Sequence, residues 1–194
     1  MEIIAHRRNR LEELHATPRA YGVEVDIRSM GDRLVIHHDP YVDGGSFDAW
    51  IESYAHGTLI LNVKEEGLEE RLIALMQAHG IERYFFLDQS FPFLIRTARA
   101  GERRCAVRFS EYESIETALA VAPMIDWVWV DCFSDDPLSA EQADRLRDAG
   151  LKLCLVSPEL HGRDQAVIAP FRDTLTQRGI TADAVCTKRP DLWS

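Results

Sequence analysis

The sequence predicts an α/β chain of the compact (β/α)8 TIM-barrel class, on three observations. Eight short apolar runs recur along the 194 residues, each ending in a polar residue or two. Most are separated by amphipathic stretches of helical spacing that stop at a glycine. The runs are nearly continuous, as in strands buried on both faces of a parallel sheet. Strand, helix and glycine repeating with short loops is the pattern of β/α units. The length falls just under the usual lower limit of about 200 residues for an eight-unit barrel, so its connections must be short. A doubly wound open sheet is the alternative, weakened because no glycine-rich phosphate loop comes after the first run.

In chain order, the first strand is Glu2–Ala5, and residues 8–21 leave room for only a short helix. The second strand is 22–28, and its residues 24–28 are expected to pair with 33–37 in a hairpin turning through 29–32. Strand 58–62 precedes a helix over 68–79, where Leu68, Leu72, Ile73, Leu75 and Met76 share a face and Gly80 supplies the stop. Strand Tyr84–Leu87 precedes a helix over 91–100 that ends at Gly101. Strands 104–108 and 127–131 come next. Ser139 with Gln142 has the form of a capping box, opening a helix that stops near Gly150. Strand 151–156, a helix over 165–178 before Gly179, and strand 183–186 complete the series. Nothing resembling a linker divides the chain, so residues 1–194 read as a single domain.

Composition narrows the function classes. Hydrophobic residues make up 46% and charged residues 28%, ordinary values for a globular chain. With 22 Lys+Arg against 32 Asp+Glu, the net charge of −10 repels nucleic acid and anionic headgroups, and no nucleic-acid partner is expected. No apolar run approaches the roughly 20 residues that span a bilayer, and no signal peptide opens the sequence. The expectation is a cytoplasmic protein without stable membrane insertion. Cys105, Cys132, Cys154 and Cys186 fall in separate runs with no CxxC pair, and read as buried free thiols.

The chemistry-bearing residues gather in the first 64 positions: His6-Arg7, Glu24-Val25-Asp26, His38-Asp39-Pro40 and Asn62-Val63-Lys64. Strand alternation puts Glu24 and Asp26 on one face, and likewise Asn62 and Lys64. Two carboxylates inside an apolar strand are costly without compensation. A hard divalent cation would supply it, and so would an ion pair with Arg7, Arg28 or Lys64. Two histidines suit proton transfer near neutrality, and Arg with Lys suits a phosphate. His37 should face away from His38 by the same alternation. The combination reads as a metal-assisted phosphodiesterase.

Those motifs resemble the glycerophosphodiester phosphodiesterase family, within the superfamily of phosphatidylinositol-specific phospholipase C-like phosphodiesterases. Ile4-Ala5-His6-Arg7 matches the family's opening signature, and Glu24-Val25-Asp26 with His38-Asp39-Pro40 match its next two motifs. The remainder, including Phe86-Leu87-Asp88, Val156-Ser157-Pro158-Glu159 and Cys186-Thr187-Lys188, is similar to a compact bacterial branch. The resemblance implies a barrel whose two histidines, here His6 and His38, exchange protons with a small-molecule phosphodiester derived from lipid. It implies Mg²⁺ or Ca²⁺ on Glu24 and Asp26, and charge neutralisation by Arg7 and Lys64. In that scheme a neighbouring substrate hydroxyl attacks phosphorus, and water opens the cyclic product.

Three departures stand out. Asn62 occupies the place of a third acidic metal ligand, Arg8 that of a glycine, and the usual Pro-Glu-Asn-Thr segment is missing. Arg8 is expected to alter the pocket mouth. These departures motivate an alternative, a catalytically weakened barrel that binds phosphate ligands. A sugar-phosphate lyase or aldolase would instead need Lys64 or Lys188 as a Schiff-base amine.

Overall fold

A computed structural model of the chain describes residues 1–134 and 138–194. Its strands are β1 (Glu2–Ala5), β2 (Gly22–Met30), β3 (Arg33–Ile36), β4 (Gly45–Ser46), β5 (Leu59–Val63), β6 (Tyr84–Leu87), β7 (Ala106–Phe109), β8 (Trp127–Val130), β9 (Lys152–Val156) and β10 (Ala184–Thr187). Its helices are α1 (Leu11–Ala16), α2 (Phe47–Ile51), α3 (Glu69–Ala78), α4 (Phe91–Arg99), α5 (Ile115–Val121), α6 (Ala140–Asp148) and α7 (Ile168–Gln177). The eight expected strands all form, and all pair in parallel. Their order is β6-β5-β2-β1-β10-β9-β8-β7. The sheet curls so far that its outer strands approach one another. There Phe86 and Cys105 make a parallel bridge, and the Phe86 N–H donates to the Arg104 carbonyl at 2.8 Å.

Strand alternation sorts the apolar residues into two clusters. Val23, Val25, Leu61, Val107 and Leu155 belong to the larger one, together with helix residues such as Leu72, Leu94 and Leu146. Ile4, Ile60, Phe85, Trp129, Cys154 and Cys186 belong to a smaller cluster on the concave face. Cys105, Cys154 and Cys186 are buried free thiols pushed up by desolvation, Cys105 to about 12, and Cys132 is also buried. Trp50, Trp127, Trp129 and Trp193 are buried, as packing residues should be.

The hairpin is tighter than expected. β2 meets β3 only from Ile27–Ile36 to Met30–Arg33, and turns at Gly31 with φ +58, a left-handed conformation that suits glycine. Earlier on β2, Val23 to Ile27 pair with Leu59 to Val63 of β5, so the strand changes partner at Ile27. Glu24 and Asp26 therefore lie inside a nine-residue strand rather than at its end. Ser139 and Gln142 form the expected capping box. Among the described residues, no helix is long and apolar enough to cross a membrane.

Candidate active site

β2 contributes no residue to the concave apolar cluster. Its outward positions Val23, Val25 and Ile27 join the larger cluster, so the alternation turns Gly22, Glu24, Asp26 and Arg28 inward. On β1 the same parity carries from Ile4 to His6, and on β5 from Ile60 to Asn62 and Lys64. Register completes the grouping. Ala5 lies opposite Val23, which brings His6 level with Glu24, and Asp26 lies opposite Asn62. The expected site residues of three neighbouring strands thus converge because the period is two and the strands are in register.

Glu24 and Asp26 are both fully buried. Glu24 Oε2 accepts from the Arg7 N–H at 2.6 Å, and Oε1 from the Asn62 amide at 2.6 Å. Arg7 adopts φ +51, a conformation L-residues seldom take, and this aims its N–H at the carboxylate. Arg7 Nε lies 3.3 Å from Asp26 Oδ2, and Lys64 Nζ 3.4 Å from Asp26 Oδ1. Asn9 closes the other edge: its amide donates to Asp26 Oδ2 at 2.9 Å, and its carbonyl oxygen accepts the Asp26 N–H at 3.0 Å. Desolvation, then the negative charge of Asp26, push the Glu24 carboxyl up to about 7 despite those donors.

His6 approaches this pair with Nε2 at 3.9 Å from Glu24 Oε2, too long for a hydrogen bond. Its Nδ1 is buried without a hydrogen-bond partner. Burial, then Arg7, Lys188, Lys64 and Arg8, lower its pKa to about 2, so the imidazole is neutral. The expectation of a near-neutral His6 pKa is therefore corrected: the site's own cations and its burial oppose a second positive charge.

His38 stands apart in a cleft of 970 Å³ that Arg7, Asn9, His37, Asp39 and Trp50 also line. Its carbonyl accepts from Arg28 Nε and Nη2 at 3.1 and 2.9 Å. The same guanidinium donates to the Lys64 carbonyl at 3.1 Å, tying the end of β3 to that of β5. His38 Nδ1 bonds Asp39 Oδ1 at 2.9 Å, and this bond holds the Asp39 carboxyl below its ordinary value. His37 lines the cleft as well, contrary to the alternation argument. β3 ends at Ile36, and strand parity stops applying there.

Farther round the rim, charges alternate in sign. Lys64 Nζ donates to Asp88 Oδ2 at 2.8 Å, Arg108 bridges Asp88 and Asp131, and His161 Nε2 bonds Asp131 Oδ1 at 2.9 Å. Burial raises the Asp88 carboxyl, but Arg108 and Lys64 outweigh it and hold Asp88 below its usual range. Burial keeps Asp131 above its own, against Arg108 and His161. Lys64 Nζ thus lies between the carboxylates of Asp26 and Asp88. Arg8 lines a hollow with Glu13, Tyr21 and Asp191.

Asn9 is not legible in the sequence as a site residue. Its partner Asp26 lies 17 positions away, and an isolated asparagine carries no pattern.

Among the described residues, no group of three His, Cys, Asp or Glu side chains could hold a metal ion. A divalent site here needs Asn62 as its third donor. The donor set fits a hard cation on that condition. Asp26 Oδ1 and Asn62 Oδ1 are both buried oxygens without a hydrogen-bond partner. A cation beside them would also offset the repulsion that raises Glu24.

No protein-family model matches the sequence, and no curated protein is similar to it. Solved structures are similar in fold. A glycerophosphodiester phosphodiesterase from Agrobacterium tumefaciens str. C58 superimposes with a TM-score of 0.72 at 16% identity, covering 100% of this chain and 98% of that one. A candidate glycerophosphoryl diester phosphodiesterase from the same organism gives 0.70 at 18%, covering 99% and 95%. A mutant tryptophan synthase α-subunit from Pyrococcus furiosus gives 0.58 at 12%, covering 96% and 86%. Proteins of different activity share this α/β architecture, so the residues must decide the function.

Proposed function

We propose that this chain is a phosphoric diester hydrolase acting on small glycerophosphodiesters, built on a (β/α)8 barrel that closes where Phe86 meets Cys105. The observation that carries the proposal is the buried pair Glu24 and Asp26, held by Arg7, Asn62 and Lys64 beside the neutral His6. The two Agrobacterium proteins, whose names carry this activity, share the fold over nearly their whole length.

His6, uncharged and with a free buried nitrogen, takes the proton from the substrate hydroxyl that attacks phosphorus. The incoming phosphate anion offsets the cations around the imidazole and raises its basicity for that step. His38, bonded to Asp39, returns a proton to the departing alcohol oxygen as its bond to phosphorus breaks. The roles reverse when water opens the cyclic phosphate. Arg7 and Lys64 neutralise charge growing on the phosphoryl oxygens. Glu24, Asp26 and Asn62 would hold Mg²⁺ or Ca²⁺, which would supply Lewis-acid polarisation of the phosphate.

Arg7 and Lys64 are already engaged by Asp26, and this favours a second reading in which the barrel binds phosphate ligands without turnover. Incubation with a soluble glycerophosphodiester and either ion separates the two. Release of alcohol and glycerol phosphate, abolished by chelation, is expected. Saturable binding with no product would establish the binding barrel instead.

A further inference from the structure

A phosphate entering beside His6 must compete with Asp26 for both Arg7 and Lys64. Another cation lies nearby without that competition. The β1–β10 ladder pairs Ala5 with Thr187, and the His6 N–H continues it by donating to the Thr187 carbonyl at 2.9 Å. Lys188 is the next residue, two beyond Cys186, which packs in the concave cluster with Ile4. Its side chain is exposed, and no carboxylate pairs with its ammonium among the described residues.

The backbone under Lys188 is unusually well held. Glu159, on the loop after β9, is buried, and its Oε1 accepts from the Thr187 hydroxyl at 2.6 Å and the Lys188 N–H at 2.9 Å. Its Oε2 accepts from the Ser157 hydroxyl, which in turn accepts the Trp193 indole N–H at 2.8 Å. A buried carboxylate spent on one loop backbone fixes where that lysine begins.

We propose that Lys188 is a phosphate-binding residue of this site, presenting an uncommitted ammonium beside His6, with Glu159 as its positioning residue. The inference rests on the phosphodiesterase reading and adds a ligand contact to it. Three donors on a compact charge suit the non-bridging oxygens of a phosphate monoester or diester. Lys188 is also, after Arg7, the cation that bears most strongly on His6.

Calorimetric titration with glycerol phosphate tests this without requiring turnover. Lys188→Gln should weaken binding by roughly tenfold or more, with unchanged melting because the side chain is exposed. Lys188→Arg should retain most of the affinity. Lys152→Gln, at the opposite end of the strands, should bind as the parent does. The parent's affinity should fall with added salt more steeply than that of Lys188→Gln. If the parent binds and Lys188→Gln binds equally well, the assignment of Lys188 is wrong while the site reading stands. If the parent itself fails to bind glycerol phosphate, the reading beneath it fails.

Discussion

From the end of β5 round to the loop after β9, Lys64, Asp88, Arg108, Asp131 and His161 alternate in charge, and each is bonded to the next. Beside the ends of β1 and β5 and midway along β2, two buried carboxylates face each other's field, and His6 Nδ1, Asp26 Oδ1 and Asn62 Oδ1 lack hydrogen-bond partners. Both regions are polar caps on the same concave apolar cluster. In the first, each of these charges has an opposite partner within the chain. The other holds buried groups whose solvation must come from outside the chain, as expected of a place where a ligand completes the structure. Strain is shared less evenly: the left-handed Arg7 serves the unsatisfied corner directly, whereas Asp88 at φ +62 faces the paired chain.

Removing a charge from the satisfied side should cost stability above all. Asp131→Ala leaves His161 Nε2 and the Trp129 indole N–H without their acceptor and Arg108 with Asp88 alone, and the loss of unfolding free energy should be about 3 kcal/mol, the low end for a buried pair because Arg108 keeps one carboxylate and is partly exposed. Turnover by the surviving folded protein should change little. A large loss of turnover at unchanged stability would place the chemistry at Asp131 and Arg108 rather than at His6.

The unsatisfied corner should respond to a ligand charge instead. Asn62→Asp replaces the amide that donates to Glu24 with a third carboxylate. Without metal the variant should melt lower than the parent. With Mg²⁺ or Ca²⁺ it should recover, and its metal affinity should be roughly tenfold tighter. Unchanged affinity by calorimetry would place Asn62 outside any coordination sphere.

The pH dependence of stability separates the two buried groups of that corner. Glu24, raised from 4.5 to about 7, keeps its proton when folded after the unfolded chain has lost it, so stability falls as pH rises through that window. His6, lowered from 6.5 to about 2, stays neutral when folded while the unfolded chain binds a proton, so stability falls as pH drops below 6.5. Glu24→Gln removes only the first slope. Relative to the parent, its stability should climb between about pH 4.5 and 7. A flat difference in denaturant melts would mean that Glu24 titrates normally.

The sequence discloses the unsatisfied corner better than the paired chain. Glu24 and Asp26 stand out because charged residues interrupt an apolar strand, and period-two spacing puts them on one face wherever that strand is placed. Asp88, Arg108 and Asp131 are visible only as polar strand ends. Their bonding depends on which strands become neighbours, and Asp88 leaves the strand parity through its positive φ. α2 has no signature in the sequence because five residues after two glycines offer too little periodicity. β2 runs two residues longer than its apolar pattern because Ser29 and Met30 resemble turn residues until the two-residue turn at Gly31 is known.

If chemistry resides at His6 and its carboxylate neighbours, removing the imidazole must abolish it. Hydrolysis of a glycerophosphodiester by the parent and by His6→Ala, each with saturating Mg²⁺ or Ca²⁺, tests it most directly. His6→Ala should lose about a hundredfold or more in turnover, with the fold retained. Equal turnover by the two proteins would contradict it.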